Sequence, residues 1–459
     1  SSAASDVYKR QLLVKAMIYK ENIMAKQLFE TVDNIEVYRV PLHKAPIKAT
    51  VSVPGSKSIT NRALLIAALS DGVANLSGVL FSDDSRHFLS SLISLGFDVT
   101  IDEKAKKVSV TGLKGKIPNK EAVIDVGSAG TAARFLTAML AFSDGQYTIK
   151  CSHQMKKRPM KPLFDALTSM GADFEYLEND GFLPVKVKGN HGVCHEVNMD
   201  ISKRTQFLSE LLMVAPMTKG NTRIKITSEK KDGAYIRITR NMMKQFGIET
   251  GFDGAVYTVP ESKGYRVNDY YIEPDMSAAC YFYAMAAMTG GAVTVTGVHK
   301  DLMQGDIKFL DVLEELGCSL GKNDMGIEVT GPAQGVYEGI EVDMNDFSDQ
   351  TMTLAALAVF ATSRTIIKNV AHICLQECDR MQATVNELSK IGVNISADGK
   401  NITIETGSNH GAWIETYDDH RMAMAFSLLG LRTEGIVIKD PRCCRKTFEN
   451  YFEVLDGLL

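Results

Sequence analysis

The stretch SKSITNRALLIAALSDG, Ser56 to Gly72, opens on polar and basic residues, runs apolar on all sides, and closes on Asp-Gly. A Lys-Ser pair behind Gly55 at a helix start resembles a nucleotide P-loop, but that motif requires G-x-x-x-x-G-K-[ST], which the residues before Lys57 do not supply. The stretch belongs instead to a series. Five more segments share its build: GSAGTAARFLTAMLAFSDG (127–145), SKRTQFLSELLMVAPMTKG (202–220), EPDMSAACYFYAMAAMTGG (273–291), NDFSDQTMTLAALAVFATS (345–363) and YDDHRMAMAFSLLGLRTEG (417–435). β-patterned runs such as YTIKC, TRIKITS, AVTVTGV and TIIKNVA come after them. The junctions recur at roughly 70 to 75 residues, the size of one βαβ-containing unit.

A second helix type lies between these segments, in FLSSLISLGFDV, LFDALTSMGADF, NMMKQFGIET, FLDVLEELGCSL and VNELSKIGVNI. Each is amphipathic and stops at a glycine (Gly96, Gly171, Gly247, Gly317, Gly392), where a left-handed C-cap is expected. The all-apolar set is expected inside each domain, and the amphipathic set over a sheet with its polar face in water. Six units predict an α/β protein of two domains with three units each. A helix N-terminus carries unpaired N–H groups and about half a positive charge. Six buried helices with polar starts are therefore six potential anion sites. Lys57, Arg62, Arg134, Arg204 and Arg421 near these starts strengthen that reading, because a cation beside the positive helix end is unfavourable unless an anion joins it.

With 459 residues, 45% hydrophobic and 23% charged, the chain can bury more than one core. A net charge of -4 excludes the basic excess of a nucleic-acid-binding protein. Eight cysteines without a C-x-x-C pair read as reduced thiols in the cytoplasm, not as a disulfide frame or zinc site. No charge-free apolar run reaches membrane-spanning length, and the start lacks the order of a signal peptide. The first ~30 residues, opening SSAASDVYKRQ, show no patterning tied to the repeated units, and Met24 is a plausible start. Residues 1–35 are expected to stand outside the fold.

Further cations occur at Arg158 in MKKRPMKP, Arg380 in QECDRM and Lys446 in CCRKTF, with carboxylates at Asp275, Asp349 and Glu377. A cationic site holding two carboxylates suits proton transfers on a phosphorylated or carboxylated small molecule, with no need of a metal.

As an ordered set, PGSKSITNRALLIAAL, GSAGTAARFLTA, KRPMKPL, EPDMSAA, QGDIKFL, DQTMTLAALAVFA, QECDRM, YDDHRMAMAFSL and KTFENYF resemble the EPSP synthase family, the 3-phosphoshikimate 1-carboxyvinyltransferases, from about residue 36 to the C-terminus. The resemblance implies a two-domain inverse α/β fold, barrel-like, of six βαβαββ-type units with buried parallel helices. The first domain would be 55–273. The second would be 36–54 plus 274–459, with crossovers near Pro54 and near Glu273 to Asp275. The implied reaction moves the enolpyruvyl group of phosphoenolpyruvate to the 5-hydroxyl of shikimate 3-phosphate, on the route to chorismate and aromatic amino acids. A monomer without metal or organic cofactor is implied, with these two small molecules as its partners and neither nucleic acid nor membrane.

On the family pattern, Glu377 would protonate the methylene of phosphoenolpyruvate, and Asp349 would take the 5-hydroxyl proton with Lys57 assisting. Lys57, Ser128, Gly130, Arg158, Gln206, Arg380, Arg421 and Lys446 would hold phosphoenolpyruvate. Lys57, Ser58, Arg62, Arg204, Thr205, Gln206, Tyr235, Asp349, His372 and Gln376 would hold shikimate 3-phosphate.

Several positions depart from the pattern. Arg204-Thr205-Gln206 stands where Ser-Ser-Gln is usual, Gln376 where lysine is, His372 where asparagine is, Cys374 where arginine is, and Phe135 where proline is. Arg204 is expected to replace the missing lysine as the phosphate's cation, since its forked donors suit phosphate. Asp232, in place of a phosphate-binding serine, would repel phosphate, so a local loop shift is expected there instead of contact. Two alternatives stay open on the sequence: the sister enolpyruvyl transferase acting on UDP-N-acetylglucosamine, whose mobile-loop cysteine has no counterpart near MKKRPMKPL, and a catalytically impaired ligand-binding relative. Opposed anion-binding ends would make the two domains repel until ligand neutralises the cleft.

Overall fold

The computed structural model describes residues 28–190, 196–202, 205–262, 264–266 and 269–459. Met24 and Arg204 lie outside the described residues. Twelve α-helices alternate in kind along the described chain. The inner set is α1 (Lys57–Leu69), α3 (Gly130–Ala141), α5 (Gln206–Val214), α7 (Met276–Thr289), α9 (Thr351–Ala358) and α11 (His420–Ser427). The outer set is α2 (Asp83–Ser94), α4 (Lys161–Ser169), α6 (Ala234–Gln245), α8 (Phe309–Glu315), α10 (Arg380–Lys390) and α12 (Tyr451–Asp456). Inner helices are buried almost all round: in α1 every residue except Lys57 and Ser58, in α9 every residue. All five glycines expected to end the second helix type have positive φ, from 84° at Gly317 to 102° at Gly171, a region other residues enter only with strain.

Six four-stranded sheets share one plan: a parallel pair, then two antiparallel neighbours. In the second unit the order is strand Glu121–Asp125, α3, strand Gln146–Lys150, α4, then strands Asp173–Tyr176 and Val185–Lys188, a βαβαββ unit. The third and fifth units repeat it without interruption. The others close through distant chain. Tyr270–Tyr271 returns to pair in parallel with Leu76 and Ser77 of the first sheet. Lys48–Val51 pairs in parallel with the strand Ala292–Thr296 of the fourth. The hairpin Glu30–Val32/Ile35–Arg39 joins Val437–Lys439 in the sixth.

That hairpin corrects the boundary expected at residue 36. Asp33 and Asn34 both have positive φ, 51° and 64°, so a two-residue turn of the kind that matches strand twist reverses the chain. Phe29 then lies edge-on to Tyr38 and Phe452, with centroids 6.4 and 6.1 Å apart. A strand of three residues is too short to show a period, which is why the sequence did not reveal it.

Buried apolar side chains form two clusters, one spanning Ile59 to Ile272 and the other joining Tyr38–Val53 to Met276–Leu455. The chain passes between the two lobes at two adjacent crossovers. Ser56 N–H donates to Glu273 O and Asp275 N–H to Pro54 O, both at 2.8 Å, so the two strands of the hinge are tied together.

Candidate active site

All six inner helices point their N-termini at one cavity of about 850 Å³ between the lobes. Lys57 and Ser58 reach it from α1, Gly130 and Thr131 from α3, Gln206 from α5, Ser277 from α7, Asp349 from the turn before α9, and His420 and Arg421 from α11. Two N-caps fix helix starts here: Asp275 Oδ1 accepts from Ala278 N–H at 3.1 Å and Asp419 Oδ1 from Arg421 N–H at 2.9 Å.

The two faces of this cavity differ in charge. Among the described residues, the first lobe lines it with five cations (Lys57, Arg62, Arg134, Arg158, Lys230) and one carboxylate, Asp84. The second lobe supplies six carboxylates (Asp275, Asp306, Asp343, Asp346, Asp349, Glu377) and three cations (Arg380, Lys400, Arg421). This corrects the expected repulsion between the lobes: loops ahead of α8, α9 and α10 bring full negative charges that outweigh the partial positive charge of the helix ends beside them. Polar contacts span the gap. Arg158 is ion-paired with Glu377, the Tyr235 hydroxyl donates to Asp349 Oδ2 at 2.8 Å, and Arg237 lies 3.4 Å from Asp346.

The two expected acid–base groups are held differently. Burial would raise the Glu377 carboxyl, but Arg158, then Lys57, Arg380 and Lys446, outweigh it and bring it down to about 2. Asp349 Oδ1 accepts from Arg380 at 2.9 Å and Oδ2 from Arg421 at 2.8 Å. Burial again works upward, yet these two guanidiniums hold Asp349 below the ordinary carboxylate range. Arg380 is itself anchored on both oxygens of the fully buried Asp419, at 2.7 and 3.2 Å. Beside them Asp306 moves the other way: burial and the Asp349 charge push its carboxyl up, against Arg421 and hydrogen bonds from Ser277 and Gln350.

In the first lobe, Lys57 Nζ stands 3.9 Å from Asp84. Arg62 is fully enclosed, donating to Thr239 Oγ1 and Ser58 O at 2.8 Å, and burial brings it down to about 10, so it stays charged at neutral pH. Gln206 bridges α5 to α3, accepting from Arg134 at 3.0 Å and donating to Thr131 Oγ1 at 3.1 Å. At Gly130 a Cβ would come within 2.7 Å of Arg158 Nη1 and 2.9 Å of Arg134 Nη1, so a side chain there would push on the ends of both guanidiniums.

A model of the family described as EPSP synthase (3-phosphoshikimate 1-carboxyvinyltransferase) matches residues 42–455. The chain belongs to the EPSP synthase family. The 3-phosphoshikimate 1-carboxyvinyltransferase of Trichormus variabilis is 42% identical over 419 residues, covering 91% of this chain and 98% of its own. That of Vibrio atlanticus is 40% identical over 423 residues, with the same shares of 91% and 98%. The solved EPSP synthase of Acinetobacter baumannii superposes with a TM-score of 0.77 over 92% of this chain and 97% of that one; at 23% identity it speaks for the fold. These findings favour neither of the alternatives left open by the sequence.

The positions expected from the family pattern do not all reach the cavity. Lys57, Ser58, Arg62, Gly130, Arg158, Thr205, Gln206, Tyr235, Asp349, His372, Gln376, Glu377, Arg380 and Arg421 line it. Ser128 and Lys446 do not. The Ser128 hydroxyl is hydrogen-bonded to that of Ser152 at 2.7 Å, and Lys446 Nζ donates to Asp418 O at 2.6 Å, so Lys446 acts on Glu377 only through its field. Arg204, expected to replace the family's lysine, lies outside the described residues. Asp232 is turned away, ion-paired with Arg237 at 3.0 Å and accepting from Tyr257 at 3.1 Å. Cys374 is likewise absent from the lining, and Phe135 packs against the Arg62 guanidinium at 5.4 Å.

Sequence reasoning passed over Asp84, Asp306, Asp419, His420, Lys230 and Lys400. Asp306 sits in QGDIKFL and Asp419 in YDDHRM, so an acid just ahead of a helix was the available signal. Nothing in the sequence marks the two lysines.

Proposed function

We propose that this transferase carries the enolpyruvyl group of phosphoenolpyruvate to the 5-hydroxyl of shikimate 3-phosphate and releases phosphate, as the names of its relatives state for them. The observation that carries the reading is the placing of two carboxylates, Asp349 and Glu377, within one arginine-lined cavity, each held ionised by a different set of cations.

Glu377 protonates the methylene carbon of phosphoenolpyruvate, leaving a cationic C2. The 5-hydroxyl oxygen attacks C2 while Asp349 takes its proton. The tetrahedral adduct then expels phosphate and returns a methyl proton, giving the enolpyruvyl ether. A donor must first hold a proton, and Glu377 at about 2 does not at neutral pH. The anionic substrate resolves this: its carboxylate and phosphate compete for Arg158 and Lys57, the leading charges that hold Glu377 down are neutralised, and burial then dominates and raises it. Asp349 keeps Arg380 and Arg421 and stays a base. Gly130, Gln206 and Arg421 complete the phosphoenolpyruvate side; Ser58, Arg62, Thr205, Tyr235, His372 and Gln376 line the shikimate 3-phosphate side.

Both lobes of a single chain build the cavity, so we take the enzyme to act as a monomer. The seven described cysteines are all free thiols, as suits the cytoplasm. No described helix is long and apolar enough to cross a membrane. A phosphate-release assay with phosphoenolpyruvate and shikimate 3-phosphate tests the reading; absence of turnover with this pair overturns it.

A further inference from the structure

Of the eight cations that line the cavity among the described residues, six already have partners. Lys57 faces Asp84; Arg158, Arg380 and Arg421 hold carboxylates; Arg62 and Arg134 are hydrogen-bonded within the first lobe. Lys230 and Lys400 are different: among the described residues neither side-chain nitrogen has a hydrogen bond or ion pair. The acids on that side are taken. Asp346 holds Lys308 at 2.9 Å and Arg237 at 3.4 Å, Asp232 holds Arg237, and Asp343 accepts from Asn369.

Lys230 is the better placed of the two. A Cβ at Gly233 would lie 3.8 Å from Lys230 Cε and 3.2 Å from Thr205 Cγ2, so the lysine stem and the threonine side chain flank the same backbone just ahead of α6. Across the gap stands His372, its Nε2 2.7 Å from Ser348 Oγ. Burial, then the Lys230 charge, lowers His372, which leaves it neutral and Lys230 the cation at this end. Gln376 adds a neutral amide. The ammonium stands beside hydroxyl and amide groups; Asp346, within its field, is already paired with Lys308 and Arg237, and Asp343 takes a hydrogen bond from Asn369, so neither is bonded to Lys230, and a phosphate monoester would supply a directly bonded anion.

We propose that Lys230, with Thr205 beside it and His372 and Gln376 opposite, grips the phosphate of shikimate 3-phosphate and sets the preference for the phosphorylated substrate. This rests on the substrate pair assigned above. It gives the phosphate a cation within the described residues, where the sequence alone pointed to Arg204.

The test compares the wild type with K230Q and K230R on shikimate 3-phosphate and on unphosphorylated shikimate. K230Q is expected to raise KM for shikimate 3-phosphate by about tenfold or more, the scale of a lost charge-assisted hydrogen bond. It should shrink the preference for the phosphorylated substrate by a similar factor while moving KM for phosphoenolpyruvate less, and K230R should recover most of the loss. A KM for shikimate 3-phosphate in K230Q within about twofold of wild type overturns the proposal, since no hydrogen bond to a charged group is that weak. If the wild type shows no turnover, the substrate assignment has failed. Calorimetric binding of shikimate 3-phosphate then decides the role of Lys230: tenfold weakening in K230Q upholds it, and equal affinity overturns it.

Discussion

The two faces of the cavity are built on the same βαβαββ plan, yet among the described residues one carries five cations to one acid and the other six acids to three cations. The shared plan fixes where helix ends point. The residues just ahead of those ends decide the charge. In the first lobe the starts are basic or neutral, as at Lys57, Gly130 and Gln206, and the helix ends and side chains add to one positive field. In the second lobe Asp306, Asp349 and Glu377 precede helices, so each reacting carboxylate stands near a favourable helix end and is matched to its own arginine. The first lobe therefore offers the excess of cations, while the second carries the two carboxylates proposed to exchange protons.

The sharpest way to break this division is to neutralise an acid of the second face. E377Q and D349N should each lower kcat by about 10²–10⁴-fold, the usual range for a general acid or base. A loss smaller than tenfold in either, measured in a single turnover, removes that residue from its role. Next in size, R158A removes a cation of the first face and the partner of Glu377, and KM for phosphoenolpyruvate should rise by at least about tenfold, since truncating one side of a buried charge pair costs about 2–5 kcal/mol. If KM hardly moves while kcat falls, Arg158 serves the acid and not the substrate.

Smaller effects probe the balance between the faces. Substrate binding should take up protons at neutral pH, because neutralising Arg158 and Lys57 raises Glu377 from about 2. Calorimetry of phosphoenolpyruvate binding to the shikimate 3-phosphate complex in buffers of different ionisation heat measures the uptake, and E377Q should abolish it. The same depressed carboxyl contributes stability above the ordinary carboxylate range that is lost as pH falls toward about 2. The acid limb of the E377Q melting curve should therefore be flatter there. Smallest of all, opposite charge on the two faces predicts that about 1 M salt, with a screening length near 3 Å, slightly enlarges the radius of gyration seen by small-angle scattering. A contraction would restore the repulsion expected from helix ends alone.

Much of this was legible in the sequence because it repeats. The six all-apolar helices, their glycine-stopped partners and the polar starts are periodic features, and burial and capping chemistry read directly from period and end residues. The hairpin at Glu30–Arg39 was illegible because its strand is short and its turn, Asp33–Asn34, has no glycine. The direction in which a side chain turns was illegible too. Lys446 and Asp232 stand at positions the family pattern assigns to substrate, but each found a nearer partner, Asp418 and Arg237. Pairings of this kind depend on residues far apart in the chain, and no local pattern records them. The opposite charge of the faces was hidden for the same reason: it appears only when Asp306, Asp349 and Glu377 are seen on one wall.

The early strands that complete the second lobe also impose an order of assembly. Ser52, beside the strand Lys48–Val51, finds its hydrogen-bond partner Thr296 244 residues later, and Glu36 meets Arg442 406 residues later. At ribosomal speeds of about 5–20 residues per second, the first gap alone lasts roughly 10 to 50 s. Before Thr296 is made, the first lobe's own last strand, Tyr270–Tyr271, is already available to close it on itself. The opening strands meanwhile wait with unpaired edges, exposed to chaperones or to one another.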